Sequence, residues 1–183
     1  MTTCLLLVDI QNDYFPGGNM ELVGIGEAAA NARTLLKVFR KVTLPVIHVQ
    51  HISGHPGATF FVPETEGVRI SQTVAPLAGE KVVIKHFPNS FRDTSLLDSL
   101  KEQGMDSLVI CGAMSHMCID ATTRAAFDLG FNCTVAEDAC ATRDLAFKGK
   151  TVKASEVHAA FMAALSHPYA KVVSTKEIVA GMA

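Results

Sequence analysis

The stretch SLVICGAMSHMCIDATTRAAFDLG, residues 107–130, decides the fold of this chain. Its first part, SLVICG, is a continuous apolar run, which is typical of a strand covered on both faces. Its second part carries Ala121, Ala125 and Leu129 at helical spacing, and Gly130 follows as a helix-ending signal. The stretch therefore predicts a strand, a short turn and a helix over 116–129, with Cys118 in the first turn of that helix.

The same unit of strand and helix recurs along the whole chain. The other predicted strands cover 4–9, 45–50, 81–85, 132–138 and 170–174, and the other predicted helices cover 24–41, 94–103, 152–165 and 175–180. This alternation predicts an α/β fold, a three-layer α/β/α sandwich with a six-stranded parallel sheet of the Rossmann-like type. A length of 183 residues without repeats or linkers predicts a single domain over 1–183.

Composition excludes several classes of protein. Hydrophobic residues make up 49% of the chain and charged residues 19%, which is too apolar for a disordered protein. A net charge of −2 provides no basic surface, so we expect no nucleic acid partner and no membrane partner. The first apolar run meets Asp9 before it could serve as a signal peptide, and we expect a cytoplasmic protein. Five cysteines without a C-x-x-C pair argue against a disulfide framework.

Three reactive side chains stand at the carboxyl ends of predicted strands or just beyond them. Asp9 ends LLLVD, Lys85 ends KVVIK, and Cys118 begins a helix whose free N–H groups favour a thiolate and could bind an oxyanion. Each residue also has a structural interpretation, as a capping aspartate, a lysine that reaches water and a packed cysteine. Together they would form a nucleophile with an acid–base pair.

The motifs around these residues resemble a known family. LLLVDIQNDYF (5–15), VVIKHFPNSF (82–91), the nucleophile stretch 109–131 and VAEDACATRD (135–144) are similar to the isochorismatase-like cysteine hydrolase superfamily over essentially the whole chain. The resemblance implies a catalytic triad of Asp9, Lys85 and Cys118 and a strand order of 3-2-1-4-5-6. It also implies a cis peptide at Ala113–Met114 and an oxyanion hole made by the N–H groups of Met114 and Cys118.

The resemblance also implies an activity. An intact cysteine favours the amidohydrolase branch, in which a C–N bond of an amide, lactam or ureido group is cleaved through a thioester. The stretches HVQHIS and GATFF are similar to a subgroup that includes streptothricin hydrolase. The alternatives are a vinyl ether hydrolase of the isochorismatase type, a catalytically silent binding or assembly member, and a thiol sensor. Relatives are often dimers or tetramers, and helix 152–165 and loop 51–70 are candidate interfaces of a homo-oligomer.

The long loops 10–22 and 51–70 leave the carboxyl ends of strands and are predicted to be functional. Some family members bind a metal through an Asp-x-His pair, where this chain has His51 and Ser53. His48, His51 and His55 could bind zinc, but their spacing does not bring them together, so we expect no metal and no other cofactor. The candidate contacts to a small amide-like substrate are Phe15, Phe60, Phe61, Phe87, Asn89, Phe91 and His116.

Overall fold

A computed structural model describes residues 2–182, so Met1 and Ala183, the ends of the predicted domain, lie outside the described residues. The strands are β1 (Thr3–Val8), β2 (Val46–His51), β3 (Lys81–Lys85), β4 (Ser107–Ala113), β5 (Asn132–Ala141), β6 (Leu145–Phe147), β7 (Lys150–Val152) and β8 (Lys171–Val173). The helices are α1 (Ile25–Lys41), α2 (Leu96–Glu102), α3 (Asp120–Asp128), α4 (Ala154–Leu165) and α5 (Thr175–Ala180).

Six of the strands form one parallel sheet in the order β3-β2-β1-β4-β5-β8. This order confirms the α/β fold and the arrangement 3-2-1-4-5-6. Strand β4, which is followed by the turn that contains Cys118, lies beside β1, the strand that leads into Asp9. The strand that ends in Lys85 lies at the edge, with β2 between it and β1.

Helices cover both faces of the sheet, and β1 shows why. Its residues alternate between two cores, with Cys4, Leu6 and Val8 packed on the side of α2, α3 and α4. Leu5 and Leu7 pack on the opposite side, against α1 and α5. All five side chains are at most 2% exposed. Burial of each such side chain stabilises the fold by about 1.5–3 kcal/mol, which explains the continuous apolar run in the sequence.

Two features differ from the sequence expectation. The predicted helix 116–129 is divided into a π-helical turn, Ser115–Ile119, and the α-helix α3 that follows it. Ile119 N–H donates to the Met114 carbonyl five residues earlier, at 3.2 Å, which widens the turn that contains Cys118. The hairpin β6–β7 was not predicted, and its two-residue turn places Lys148 and Gly149 at positive φ.

Gly112 allows the close packing of β4 against β1 beneath the site. Its φ is +128°, and a Cβ atom there would overlap the carbonyl oxygen of Val8. Because Val8 directly precedes Asp9, the same contact holds the Asp9 backbone close to the turn after β4. Any side chain at position 112 would push these two strand ends apart.

Candidate active site

One buried ammonium joins the carboxylate and the thiol that the sequence analysis singled out. Lys85 Nζ lies 2.6 Å from Asp9 Oδ2 and 3.3 Å from Cys118 Sγ. Asp9 and Lys85 are fully buried, and Cys118 is 4% exposed. Residues that are 76 and 109 positions apart from Asp9 in the chain thus meet in one cluster, as the resemblance implied.

Lys85 reaches this cluster across the end of a neighbouring strand. It begins on β3, two strands from β1, and neighbouring strands are about 4.8 Å apart. In the register of β2 and β3, Lys85 pairs with His51, the last residue of β2. The four-carbon stem of Lys85 therefore spans β2, and its ammonium arrives at Asp9 beside the His51 ring.

His51 is a fourth member of the cluster. From the sequence, His51 was a candidate metal ligand only. Its Nδ1 lies 2.9 Å from Lys85 Nζ. Burial and the neighbouring Lys85 charge lower the pKa of His51 to about 4, so the ring is neutral at physiological pH. The sequence signal for this role was the position of His51 at the end of a predicted strand. Only the strand order places that strand end beside Lys85 and Asp9.

Burial shifts the pKa values of Cys118 and Lys85 in opposite directions. Burial first, and the charge of Asp9 second, raise the pKa of Cys118 to about 12, although the Lys85 ammonium opposes this. The expectation that the helix start favours a thiolate is therefore wrong for the resting site, because desolvation of the sulfur outweighs it. For Lys85, burial lowers the pKa, but the negative charges of Asp9 and Cys118 reverse this and hold the pKa above its usual 10.5.

Asp9 has free capacity to accept a proton. It follows β1 in a left-handed backbone conformation with φ of 53°, and its N–H donates to Val49 O at 3.0 Å. Lys85 approaches Oδ2 as an ion pair without the alignment of a hydrogen bond, and neither carboxylate oxygen has a hydrogen-bond partner among the described residues. A buried carboxylate in this state can receive a proton from a nearby thiol.

The motif D-I-Q-N-D fastens the loop after β2 over the site. Gln11 Nε2 donates to the carbonyls of His51 and Val68 at 2.8 and 2.7 Å, and His51 N–H donates to Gln11 Oε1 at 2.8 Å. Asp13 Oδ2 accepts from Phe61 N–H at 2.6 Å. Two long loops that the sequence analysis marked as functional are thereby held against each other.

An aromatic cluster lies beside His51. The Phe61 ring centroid is 5.9 Å from that of His51, 5.0 Å from Phe60 and 4.6 Å from Tyr14. Tyr14 was not predicted as a site residue. Burial, followed by the negative charges of Cys118 and Asp9, raises its pKa well above 10. Tyr14 is thus a further polar side chain whose pKa responds to the charges of Cys118 and Asp9.

The other predicted substrate contacts have different surroundings. His116, in the nucleophile turn, places Nδ1 2.6 Å from Thr142 Oγ1. Phe15 packs against the core of the sheet, and the Phe87 ring is covered by the Arg92 guanidinium at 3.6 Å. The Asn89 side chain accepts from Phe91 N–H at 2.9 Å and shapes the turn after β3.

Phe91 is half-buried and packs against the core on one side of the sheet. Its ring stacks on Phe131, 6.1 Å away, which directly precedes β5. That position lies at the amino end of the parallel sheet, whereas the triad lies at the carboxyl end. The structure thus places the Phe91 ring against Phe131, and a contact of Phe91 with substrate stays a prediction.

The cluster is built around an ammonium and does not suit a metal ion. Ligand atoms of Asp9, His51 and Cys118 lie within 4.8 Å of one another, which resembles a metal site. However, Lys85 Nζ already contacts an atom of each, and its charge would repel a cation. His48 is directed elsewhere, with Nε2 3.0 Å from Glu80 Oε2, and His55 is exposed.

A comparison with protein families identifies the domain. The model of the isochorismatase domain matches residues 3–177. The chain belongs to the isochorismatase family. An uncharacterized family protein of Bacillus subtilis, YddQ, is 54% identical, with 96% of this chain and 98% of the relative covered. A crystal structure of an isochorismatase from Pseudomonas putida has a TM-score of 0.91 and 38% identity, covering 96% of this chain and 89% of that one.

Two enzymes with named activities also match. Streptothricin hydrolase of Streptomyces noursei is 36% identical, with 77% of this chain and 50% of that enzyme covered. The chain therefore matches about half the length of that enzyme. Maleamate amidohydrolase of Pseudomonas putida is 28% identical, with 76% of this chain and 72% of the relative covered. The peptide bond between Ala113 and Met114 is cis, as the resemblance implied.

No helix within residues 2–182 has the length and apolar character to cross a membrane.

Proposed function

We propose that this family member is a cysteine-dependent hydrolase that cleaves a C–N bond in an amide, lactam or ureido group of a small molecule. The observation that carries the proposal is the buried Lys85 ammonium in contact with both the Asp9 carboxylate and the Cys118 thiol. The family relationship to maleamate amidohydrolase supports the choice of a C–N bond.

In the first step, Asp9 takes the proton of Cys118 and the sulfur attacks the carbonyl carbon of the substrate. A C–S bond forms, and the electron pair of the carbonyl π bond moves to oxygen. The N–H groups of Met114 and Cys118 bind this oxyanion. The net charge of the cluster stays constant, since the negative charge moves from Asp9 to sulfur while Lys85 remains between them. Because the net charge is constant, the proton transfer adds no uncompensated charge to the buried site and has a low free-energy cost.

In the second step, the protonated Asp9 donates to the leaving nitrogen as the C–N bond breaks, and a thioester remains on Cys118. Asp9 is then ionised again and takes a proton from a water molecule, which attacks the thioester. A C–O bond forms, the C–S bond breaks, and the sulfur recovers the proton. An amide gives a carboxylic acid and an amine or ammonia, a lactam gives one amino acid, and a ureido group gives a carbamic acid and an amine or ammonia.

A panel of small primary amides, lactams and N-carbamoyl compounds tests this function by release of ammonia or amine. We expect turnover of at least one class, and a loss of at least 1,000-fold in Cys118→Ala and Asp9→Asn with retention of the fold. Cys133→Ala removes a buried cysteine on the amino half of β5 and serves as the control. Hydrolysis that survives Cys118→Ala, including hydrolysis of a vinyl ether, would contradict the proposal.

A further inference from the structure

The ammonium of Lys85 determines the tautomer of His51. A lysine ammonium carries three protons and no lone pair, so it is the donor wherever it forms a hydrogen bond. The contacts are Asp9 Oδ2 at 2.6 Å, His51 Nδ1 at 2.9 Å and Cys118 Sγ at 3.3 Å. Nδ1 of His51 is therefore an acceptor, and the proton of the neutral ring is on Nε2.

The His51 ring is also fixed in position. Its backbone is held on both sides by Gln11, whose amide accepts from the His51 N–H and donates to the His51 carbonyl, each at 2.8 Å. The Phe61 ring lies beside the imidazole. With Nδ1 bound to Lys85, the direction of the Nε2–H bond is set before any ligand arrives.

The Nε2–H group itself is free. Among the described residues no group accepts a hydrogen bond from it, and it is not one of the buried polar atoms that are sealed without a partner. The side chain is half-buried, and it lies at the cluster that contains the Cys118 sulfur. A fixed donor with access to the space beside a nucleophile is suited to bind a ligand.

We propose that His51 is a substrate-binding residue that presents Nε2–H as a neutral hydrogen-bond donor beside Cys118, and that the substrate carries a second neutral acceptor, such as a carbonyl oxygen, besides the scissile carbonyl. This inference rests on the proposed function, because the ligand is a substrate only if the protein hydrolyses it. Hydrogen-bond donation by His51 can be tested separately, by ligand binding. A ligand without the second acceptor leaves the Nε2–H unsatisfied in a partly desolvated site, and it binds more weakly.

Two amides of the same chain length provide the test. Succinamide offers a second carbonyl acceptor and butyramide does not. Each is used to protect Cys118 from iodoacetamide at pH 8 in initial-rate measurements, and release of ammonia is measured in parallel. For the wild-type protein we expect half-protection by succinamide at a concentration about tenfold lower than by butyramide, as one neutral hydrogen bond would give.

Variants of two histidines locate the effect. In His51→Asn, the side-chain oxygen can replace Nδ1 as the acceptor for Lys85, but no group replaces Nε2–H. We expect the succinamide preference to fall to about onefold to twofold there. His55→Asn changes an exposed histidine of the same loop and is expected to keep the tenfold preference. A wild-type protein without the preference, or a preference that persists in His51→Asn, would overturn the role of His51.

The two readouts separate this inference from the proposed function. Protection that depends on His51, together with no release of ammonia or amine from any class of the substrate panel, would support the donor and contradict the hydrolase. Release of ammonia from both amides that depends on Cys118, with equal preference in wild type and His51→Asn, would support the hydrolase and contradict the donor.

Discussion

The proposed mechanism requires the buried sulfur of Cys118 to be protonated at rest and to lose its proton only when it attacks the substrate. Burial and the charge of Asp9 raise its pKa to about 12, and the proton acceptor, Asp9, is part of the same cluster. Activation therefore depends on transfer within the cluster at the moment of attack and not on a standing thiolate. This differs from cysteines whose thiolate is already formed at neutral pH.

The raised pKa predicts an unusual pH dependence of alkylation. Without a substrate, the rate of Cys118 labelling by iodoacetamide should increase about tenfold per pH unit from pH 7 to pH 9.5, without a plateau. An exposed thiol with an ordinary pKa would level off above about pH 8.5. Peptide mass spectrometry identifies the labelled residue, and Cys118→Ala measures the background. A plateau below pH 8 would show a thiolate that Lys85 stabilises more than burial opposes.

The sequence predicted the cluster of Asp9, Lys85 and Cys118 but not all of its neighbours. Asp9, Lys85 and Cys118 stand out because each places a reactive group at or just beyond the end of an apolar run. His51 and Tyr14 could not be assigned in this way, since a histidine and a tyrosine are unremarkable at the end of a strand and in a loop. The position of His51 beside Lys85 arises from the strand order, which places β2 between the strands of Lys85 and Asp9.

At the scale of elements, the strands and helices were predictable where the pattern is long and regular. The six sheet strands and the five helices all lie within a few residues of their predicted positions. The hairpin β6–β7 was missed because each strand has only three residues and no core to bury. The sequence signal was the Lys-Gly pair between Phe147 and Lys150, which suits a two-residue turn with positive φ.

The segment that leads into β3 is held to α1 and β2 by one carboxylate. Glu80 forms two hydrogen bonds of 2.7 Å with Arg40, approaches His48 Nε2 at 3.0 Å, and accepts from Leu77 N–H at 2.8 Å. Hydrogen bonds from Arg40 are the main reason that the pKa of Glu80 is lowered to about 2. The pair supports the strand from which Lys85 projects.

Glu80→Gln should reduce the free energy of unfolding by about 2 kcal/mol at pH 7. A lowered carboxyl pKa stabilises the fold fully above the unfolded value of about 4.5, and this contribution is lost as the pH falls towards 2. The difference between variant and wild type should therefore shrink from pH 4.5 downwards in urea titrations. Glu66→Gln breaks an exposed pair with Arg69 and should cost less than about 0.5 kcal/mol. A constant difference over this pH range would contradict the assignment.

At the scale of the whole molecule, helix α4 presents apolar side chains on its exposed face. Helix α4 exposes Ala159, Ala160, Ala163 and Ala164, and the hairpin before it exposes Phe147 to 70%. Alanines on an exposed helix face allow close approach of another helix. This surface lies on the predicted interface helix 152–165, and it favours a homo-oligomer built through α4.

Sedimentation equilibrium should show a dimer or a tetramer at micromolar concentration. Ala160→Arg places a long charged side chain on α4 and should increase the dissociation constant at least 100-fold, since a charge would be buried without a partner. Ala30→Arg makes the same change on the exposed face of α1 and should leave association unchanged. A specific interface should associate at micromolar concentration. A wild-type protein that is monomeric up to about 100 µM would therefore contradict this prediction.

The covalent intermediate on Cys118 tests the central claim most directly. Wild-type protein mixed with an amide that it hydrolyses, quenched in acid within milliseconds to seconds, is analysed by intact and peptide mass spectrometry. The account predicts an adduct equal to the acyl part of the substrate, located on Cys118 and removed by hydroxylamine. Turnover at an undiminished rate with the thiol unmodified throughout, or an adduct on another residue, would contradict it.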